Sequence, residues 1–148
     1  MTNTTIYFDM DGTITNLYGV ENWLDYLKSE DSTPYAIAEP LVRLASLARV
    51  LNNLQKKGYR IGVISWLAKY SSTDYDMEVI EAKKGWLNKH LHSVRFDEIN
   101  IVKYGTPKQM FAKTSDDILF DDEKPNRDSW TGKAFDVTNI IGTLRGLA

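Results

Sequence analysis

Ile6-Tyr7-Phe8-Asp9-Met10-Asp11-Gly12-Thr13-Ile14 is an apolar run that ends in two carboxylates one residue apart, followed by a glycine and a threonine. Aromatic and β-branched residues favour a strand and Asp-x-Asp-Gly favours a turn, so the stretch predicts a buried strand that breaks at the edge of a sheet. In an open parallel sheet that edge borders the crevice where ligands bind. Alternation along the strand starts Asp9 and Asp11 on the same side, and two like charges there need an offset. A divalent cation supplies it most directly, and oxygen ligands select a hard one such as Mg²⁺. An EF-hand loop would need further oxygens at fixed spacing and a Glu at its twelfth position; Leu17-Tyr18-Gly19-Val20 supplies none.

Working outward, Val20, Trp23, Leu24 and Leu27 have helical spacing with one apolar face, and Ser29 to Pro34 reads as a loop. Glu39-Pro40 predicts a second helix with proline at its first position, carrying Leu41, Leu44, Leu47, Ala48, Leu51 and Leu54 inward until Lys56-Lys57-Gly58 stops it. Tyr59 to Ser65 is a β-branched strand. Thr73 or Asp74 caps a helix that carries Val79, Ile80, Leu87 and Leu91 inward, with Gly85 weakening it. Strands follow at Ile99–Val102, Asp117–Phe120 and Ala134–Val137, a short helix begins at Thr106-Pro107-Lys108, and Asn139 to Leu147 closes the chain as a helix. Strands alternating with helices imply right-handed crossovers and a parallel sheet of about five strands, a three-layer α/β/α Rossmann-like fold.

A length of 148 residues suits one domain, taken as 1–148. Hydrophobic content of 43% and charged content of 26% are ordinary for a globular protein, and no apolar run is long enough to span a membrane. Net charge of −2 offers no general attraction to polyanions, which argues against tight non-specific nucleic-acid binding. Met1 to Thr5 lacks the basic and apolar regions of an export signal and there is no cysteine, so the cytoplasm is the expected location.

Three predicted strands end in chemically capable side chains: Asp9 and Asp11, Ser65, and Asp121 with Asp122. A parallel sheet lines those ends along one edge. Taken alone, Ser65 equally fits a strand-end hydroxyl that satisfies backbone groups, and Asp121-Asp122 a turn. His90 and His92 follow a basic, polar helix end and read as solvated.

The ordered set Asp-x-Asp-Gly-Thr, a serine closing the second strand, a lysine and an acidic pair after a hydrophobic strand resembles the haloacid-dehalogenase-like (HAD) phosphatase superfamily, from Ile6 to Val137. The resemblance is to small-cap members, among them 5′-nucleotidase-like ones. It implies that Asp9 attacks phosphorus to form an aspartyl-phosphate, and that Asp11 serves as general acid and then general base. Ser65 and Thr13 would contact the substrate phosphate, a lysine would neutralise charge, and Mg²⁺ would be held by Asp9, the Asp11 backbone carbonyl and Asp122, with Asp121 acting directly or through water. Dehalogenases lack the second Asp, so Asp11 favours phosphate-ester cleavage.

The lysine is contested between Lys108 and Lys103. Lys108 falls in a first helical turn, where the macrodipole disfavours a cation, and a residue placed against local preference answers to a site. Residues 15–38 leave room for only a rudimentary cap. Trp23 and Tyr26 read as core, while Tyr18 and Trp66 are candidates to stack on a substrate base. The expected activity is a Mg²⁺-dependent phosphomonoesterase acting on a nucleotide or other small phosphorylated substrate. Two rivals are a phosphatase of a macromolecule, separated by activity on oligonucleotides against mononucleotides, and a non-catalytic binding module, which requires no turnover of an aryl phosphate with Mg²⁺.

Overall fold

The computed structural model describes residues 2–148. Its centre is β1 (Thr5–Phe8), buried at every position. There follow the two-residue β2 (Thr15–Asn16), a 3-10 turn at Leu17–Gly19, α1 (Trp23–Lys28), α2 (Thr33–Ile37) and β3 (Glu39–Pro40). Next, α3 (Leu44–Lys56) leads into β4 (Arg60–Trp66), α4 (Thr73–His90) into β5 (Glu98–Val102), and a 3-10 turn at Lys108–Phe111 into β6 (Ile118–Phe120). The chain ends with α5 (Lys124–Asp128), β7 (Lys133–Phe135) and α6 (Ile140–Leu147).

Five strands form one parallel sheet in the order β5-β4-β1-β6-β7. The first crossovers step away from β1 on one side and the later ones on the other, so the switch in strand order falls between β1 and β6. A crevice opens at such a point beyond the carboxyl ends of the strands. Ile6 lies beside Ile61 and Ile118, and Phe8 beside Val63 and Phe120. This register puts Ile6, Phe8, Ile61, Val63, Ile118 and Phe120 on one face, in a core with α3, α6 and the second half of α4. On the other face Tyr7, Ile64 and Leu119 pack with Trp130 and Phe111. Burial on both faces explains why these strands read as apolar runs rather than as alternating patterns. The architecture is α/β and Rossmann-like, with a small cap inserted after β1.

The cap departs from its predicted elements. The helix expected from Val20 begins only at Trp23, behind a left-handed Asn22 at φ 62°, and no residue of α1 is buried. Leu24 is exposed, and Trp23 and Tyr26, expected in the core, are half-buried. Pro34 is in the first turn of α2 rather than in a loop. Pro40 does not open a helix: it sits in β3 opposite Thr15, where a two-residue edge strand does not need its missing N–H, and Leu41 continues the pairing by donating to the Ile14 carbonyl at 2.9 Å.

Elsewhere the differences are local. Ser72, not Thr73 or Asp74, caps α4 by accepting from the Tyr75 N–H at 3.2 Å. Gly85 faces open space, so the helix runs through it. Thr106 donates its hydroxyl to the Lys103 carbonyl instead of capping the Lys108–Phe111 turn. Among the described residues, no helix is long and apolar enough to cross a membrane.

Candidate active site

Asp9 leaves β1 and Asp121 and Asp122 leave β6, so the switch in strand order brings the three carboxylates together. Carboxylate oxygens of Asp9, Asp121 and Asp122 lie within 4.8 Å of one another. The intervening turn is built for this approach: Gly12 has φ 82°, and a Cβ there would overlap the Asp122 carboxylate. Thr13 locks the turn from behind. Its hydroxyl donates to Asp9 Oδ2 at 3.0 Å and accepts from the Asp122 N–H at 3.3 Å.

Lys108 is 4% exposed, with Nζ 3.0 Å from Asp9 Oδ1 and 2.7 Å from Asp121 Oδ2. Lys103 is exposed at the end of β5. Of the two candidate lysines, the structure brings only Lys108 to the carboxylates. Asp121 is fully enclosed: besides Lys108 it accepts from Asn126 Nδ2 at 3.1 Å and the Glu123 N–H at 2.9 Å. Asp122 is only partly covered and lines the cleft.

Negative charge exceeds positive charge at this point. Burial pushes the Asp9 carboxyl well above its ordinary value; Lys108 opposes the shift, while Asp121, Asp11 and Asp122 add to it. Burial likewise raises Asp122, and it raises Glu123 with help from Asp122 and Asp121. For Lys108, burial works against the charge, but Asp9 and Asp121 outweigh it and hold the ammonium more firmly than usual. A group of oxygen ligands with surplus negative charge fits a hard divalent cation.

Helix α4 contributes a group that the sequence reading missed. Lys83, in the middle of α4, is 1% exposed and reaches under β4 to Asp11 Oδ2 at 2.9 Å, Ser65 Oγ at 2.7 Å and the Trp66 carbonyl at 2.8 Å. Thr15 donates to the other Asp11 oxygen at 3.3 Å. A lysine within a charged helical stretch reads as solvated, but the signal was there: Val79, Lys83, Trp86 and Leu87 form one inward stripe at spacings of four, three and one.

Above the carboxylates opens a cleft of about 320 Å³. Asp9, Asp11, Lys108 and Asp122 lie at its base. The cap supplies one wall with Tyr18, Trp23 and Tyr35, and the other side carries Trp66 and Tyr104. Tyr18 packs edge-on against Trp23 with ring centres 5.0 Å apart, which is why Trp23 is a cleft residue rather than core. Trp66 is fixed by its indole N–H donating to the Thr106 carbonyl at 2.8 Å. Thr13 and Ser65 are fully buried and do not line the cleft. The Thr13 hydroxyl, expected to meet the substrate, is bonded here to Asp9 and Asp122. Ser65 accepts from Lys83 and keeps its own proton to donate.

No family model and no curated protein sequence matches this chain. Among solved structures it is similar to D,D-heptose 1,7-bisphosphate phosphatase from Burkholderia thailandensis, at 13% identity and a TM-score of 0.51, over 85% of this chain and 70% of that one. It is also similar to a chain of a Pnkp1/Rnl/Hen1 complex, at 18% identity and a TM-score of 0.59, over 91% of this chain and 46% of that one. The chain thus spans under half the length of the second. Both likenesses are of fold, and they agree with the α/β Rossmann-like architecture.

Proposed function

We propose that the protein is a Mg²⁺-dependent phosphomonoesterase that works through an aspartyl-phosphate on Asp9, with nucleotides or other small phosphate esters as the leading substrates. The observation that carries this reading is the state of Asp9. It is 7% exposed, held by Lys108 on one oxygen and Thr13 on the other, and opens onto a cleft walled by aromatic rings. A carboxylate fixed in this way is a positioned nucleophile.

In the first step an Asp9 oxygen bonds to phosphorus as the bond to the leaving oxygen breaks, and Asp11 gives that oxygen a proton. In the second, water attacks phosphorus while Asp11 takes its proton, which releases phosphate and restores Asp9. Lys108 balances charge on the nucleophile and the phosphoryl oxygens. Lys83 and Thr15 fix the Asp11 carboxylate from two sides, so the acid has one orientation. Asp9, Asp122 and the Asp11 backbone carbonyl would hold the metal, with Asp121 steadying the group through Lys108. Bound there, Mg²⁺ would supply positive charge against the developing charge on the phosphoryl group.

The test is turnover of an aryl phosphate by the purified protein, with Mg²⁺ present and with it chelated. Turnover that needs Mg²⁺ and is lost in Asp9→Asn is expected. Absence of turnover at any Mg²⁺ concentration would return the protein to a binding role on this fold.

A further inference from the structure

Past Tyr104 the cleft continues into a second chamber of about 320 Å³, and the two share Leu67, Ala68, Lys69 and Tyr104 as walls. The electrostatics change along the way. The base of the main cleft is dominated by carboxylates, whereas the second chamber carries Lys69 and Lys103. Among the described residues neither lysine has an ion-pair partner. The one acid in the chamber, Asp76, accepts a hydrogen bond from Ser71. Two lysines without ion-pair partners and one acid already bonded to a hydroxyl make a lining that suits an anion.

Rings and cations alternate between the two ends. Lys108 Nζ is 5.4 Å from the centre of the Trp66 ring, Trp66 is 5.0 Å from Tyr104, and Lys69 Nζ is 5.6 Å from Tyr104 and 5.3 Å from Tyr70. Tyr70 is 95% exposed and has φ 58°. A left-handed backbone is strained for a non-glycine residue, and no burial of this ring offsets it. Tyr70 thus presents an open aromatic face beside Lys69 on the wall of the chamber.

We propose that the second chamber is a subsite for a phosphate that does not react. This deepens, and rests on, the phosphatase reading. The preferred substrate then carries a planar ring against Trp66 and Tyr104 and a second phosphate at Lys69 and Lys103, in addition to the ester that is cleaved over Asp9. Two sources share that chemistry, a bisphosphorylated nucleoside and the phosphorylated end of a nucleic-acid strand. Base stacking on aromatic side chains and phosphate pairing with lysines are the interactions that hold either one.

The experiment compares kcat/KM for p-nitrophenyl phosphate, a nucleoside monophosphate, a nucleoside 3′,5′-bisphosphate and a phosphorylated dinucleotide in three proteins: wild type, Lys69→Ala/Lys103→Ala and Lys69→Arg/Lys103→Arg. Wild type is expected to favour the doubly phosphorylated compounds over the monophosphate by about tenfold, a ratio that one well-placed charged contact supplies. The alanine pair should erase that ratio and the arginine pair keep it. Equal preference for the bisphosphate and the dinucleotide supports the subsite with a free bisphosphate as its source. Preference for the dinucleotide alone supports it with a strand end. A wild-type ratio near one, or a ratio that survives the alanine pair, overturns the subsite while p-nitrophenyl phosphate turnover keeps the phosphatase reading intact. Failure to turn over any of the four compounds sinks that reading, and the subsite with it.

Discussion

Asp117 and Asp121 stand at opposite ends of β6 and are both fully buried, yet they belong to different kinds of place. Asp117 is surrounded by donors. Its oxygens accept from the backbone N–H groups of Thr5 at 2.9 Å, Lys113 at 2.7 Å and Thr114 at 3.1 Å, and from the Thr114 hydroxyl at 3.0 Å. Burial works against its charge, but those donors outweigh it and hold the carboxyl below its ordinary value. At the other end, Asp121 joins Asp9 and Asp122 around a single lysine, and burial leaves the latter two above theirs. The sheet thus ties chain segments together with one acid and gathers acids in surplus at its other end, where the proposed metal would bind. A buried acid that lowers its own pKa is part of the scaffold, and one that raises it invites a cation or a reaction.

Four measurements press on this comparison. The largest effect is expected from Asp9→Asn, which keeps the side chain's size but removes its nucleophilicity: turnover of an aryl phosphate should fall by about a thousandfold or more, with thermal unfolding still cooperative. A near-normal rate in this variant would place the chemistry elsewhere. Lys108→Ala comes next. It removes the cation between Asp9 and Asp121, and steady-state turnover should drop about a hundredfold, the usual cost of one transition-state electrostatic partner. Retention of most activity would mean that the charge comes from another group, and Lys83 is the nearest alternative.

The acidic end should also respond to metal where the Asp117 end does not. Mg²⁺ that binds only the folded protein stabilises it by RT ln(1 + L/Kd), about 2.7 kcal/mol at a hundredfold excess over Kd. The melting temperature should rise with Mg²⁺, and should rise again with beryllium fluoride only when Mg²⁺ is present. Asp122→Asn should remove the response. A melting temperature indifferent to Mg²⁺ would mean that the three carboxylates hold no ion.

Much of this was legible in the chain, and the failures share a cause. Strands buried on both faces announce themselves as apolar runs, so β1, β4 and β6 could be read directly, with the acids that follow β1 and β6 and the serine near the end of β4. Lys108 could be singled out from Lys103 because a cation in a first turn offends the local rule. Lys83 was harder, since a lysine among the charges of α4 offends no local rule and only its place on the stripe with Val79, Trp86 and Leu87 marks it as inward. The cap was the least legible part. Its helices are five and six residues long, too short for periodicity to decide a face, and left-handed Asn22 and Glu30 break the segment where composition gives no warning. Trp23 was misplaced for that reason: helical spacing indicated an apolar face but not whether the face met a core or a cleft.

The smallest effect expected is at the scaffold end, and it has a distinctive pH signature. Asp117→Asn keeps the shape but turns an amide group toward backbone N–H donors, so charge-assisted hydrogen bonds are lost and a donor faces a donor. A loss of about 2 kcal/mol of unfolding free energy at neutral pH follows, with aryl phosphate turnover retained. The sign of the pH dependence comes from the lowered pKa. The unfolded chain binds a proton to Asp117 at a higher pH than the folded one, so the carboxylate's contribution is complete above the unfolded value of about 3.9 and disappears as pH falls through the folded value. Wild type and Asp117→Asn should therefore differ by a constant amount from neutral pH down to about 5 and converge in stronger acid. Chemical denaturation across that range measures the gap. A gap that does not close in acid would show that Asp117 acts through shape and not through charge, and the contrast between the two ends of β6 would fail.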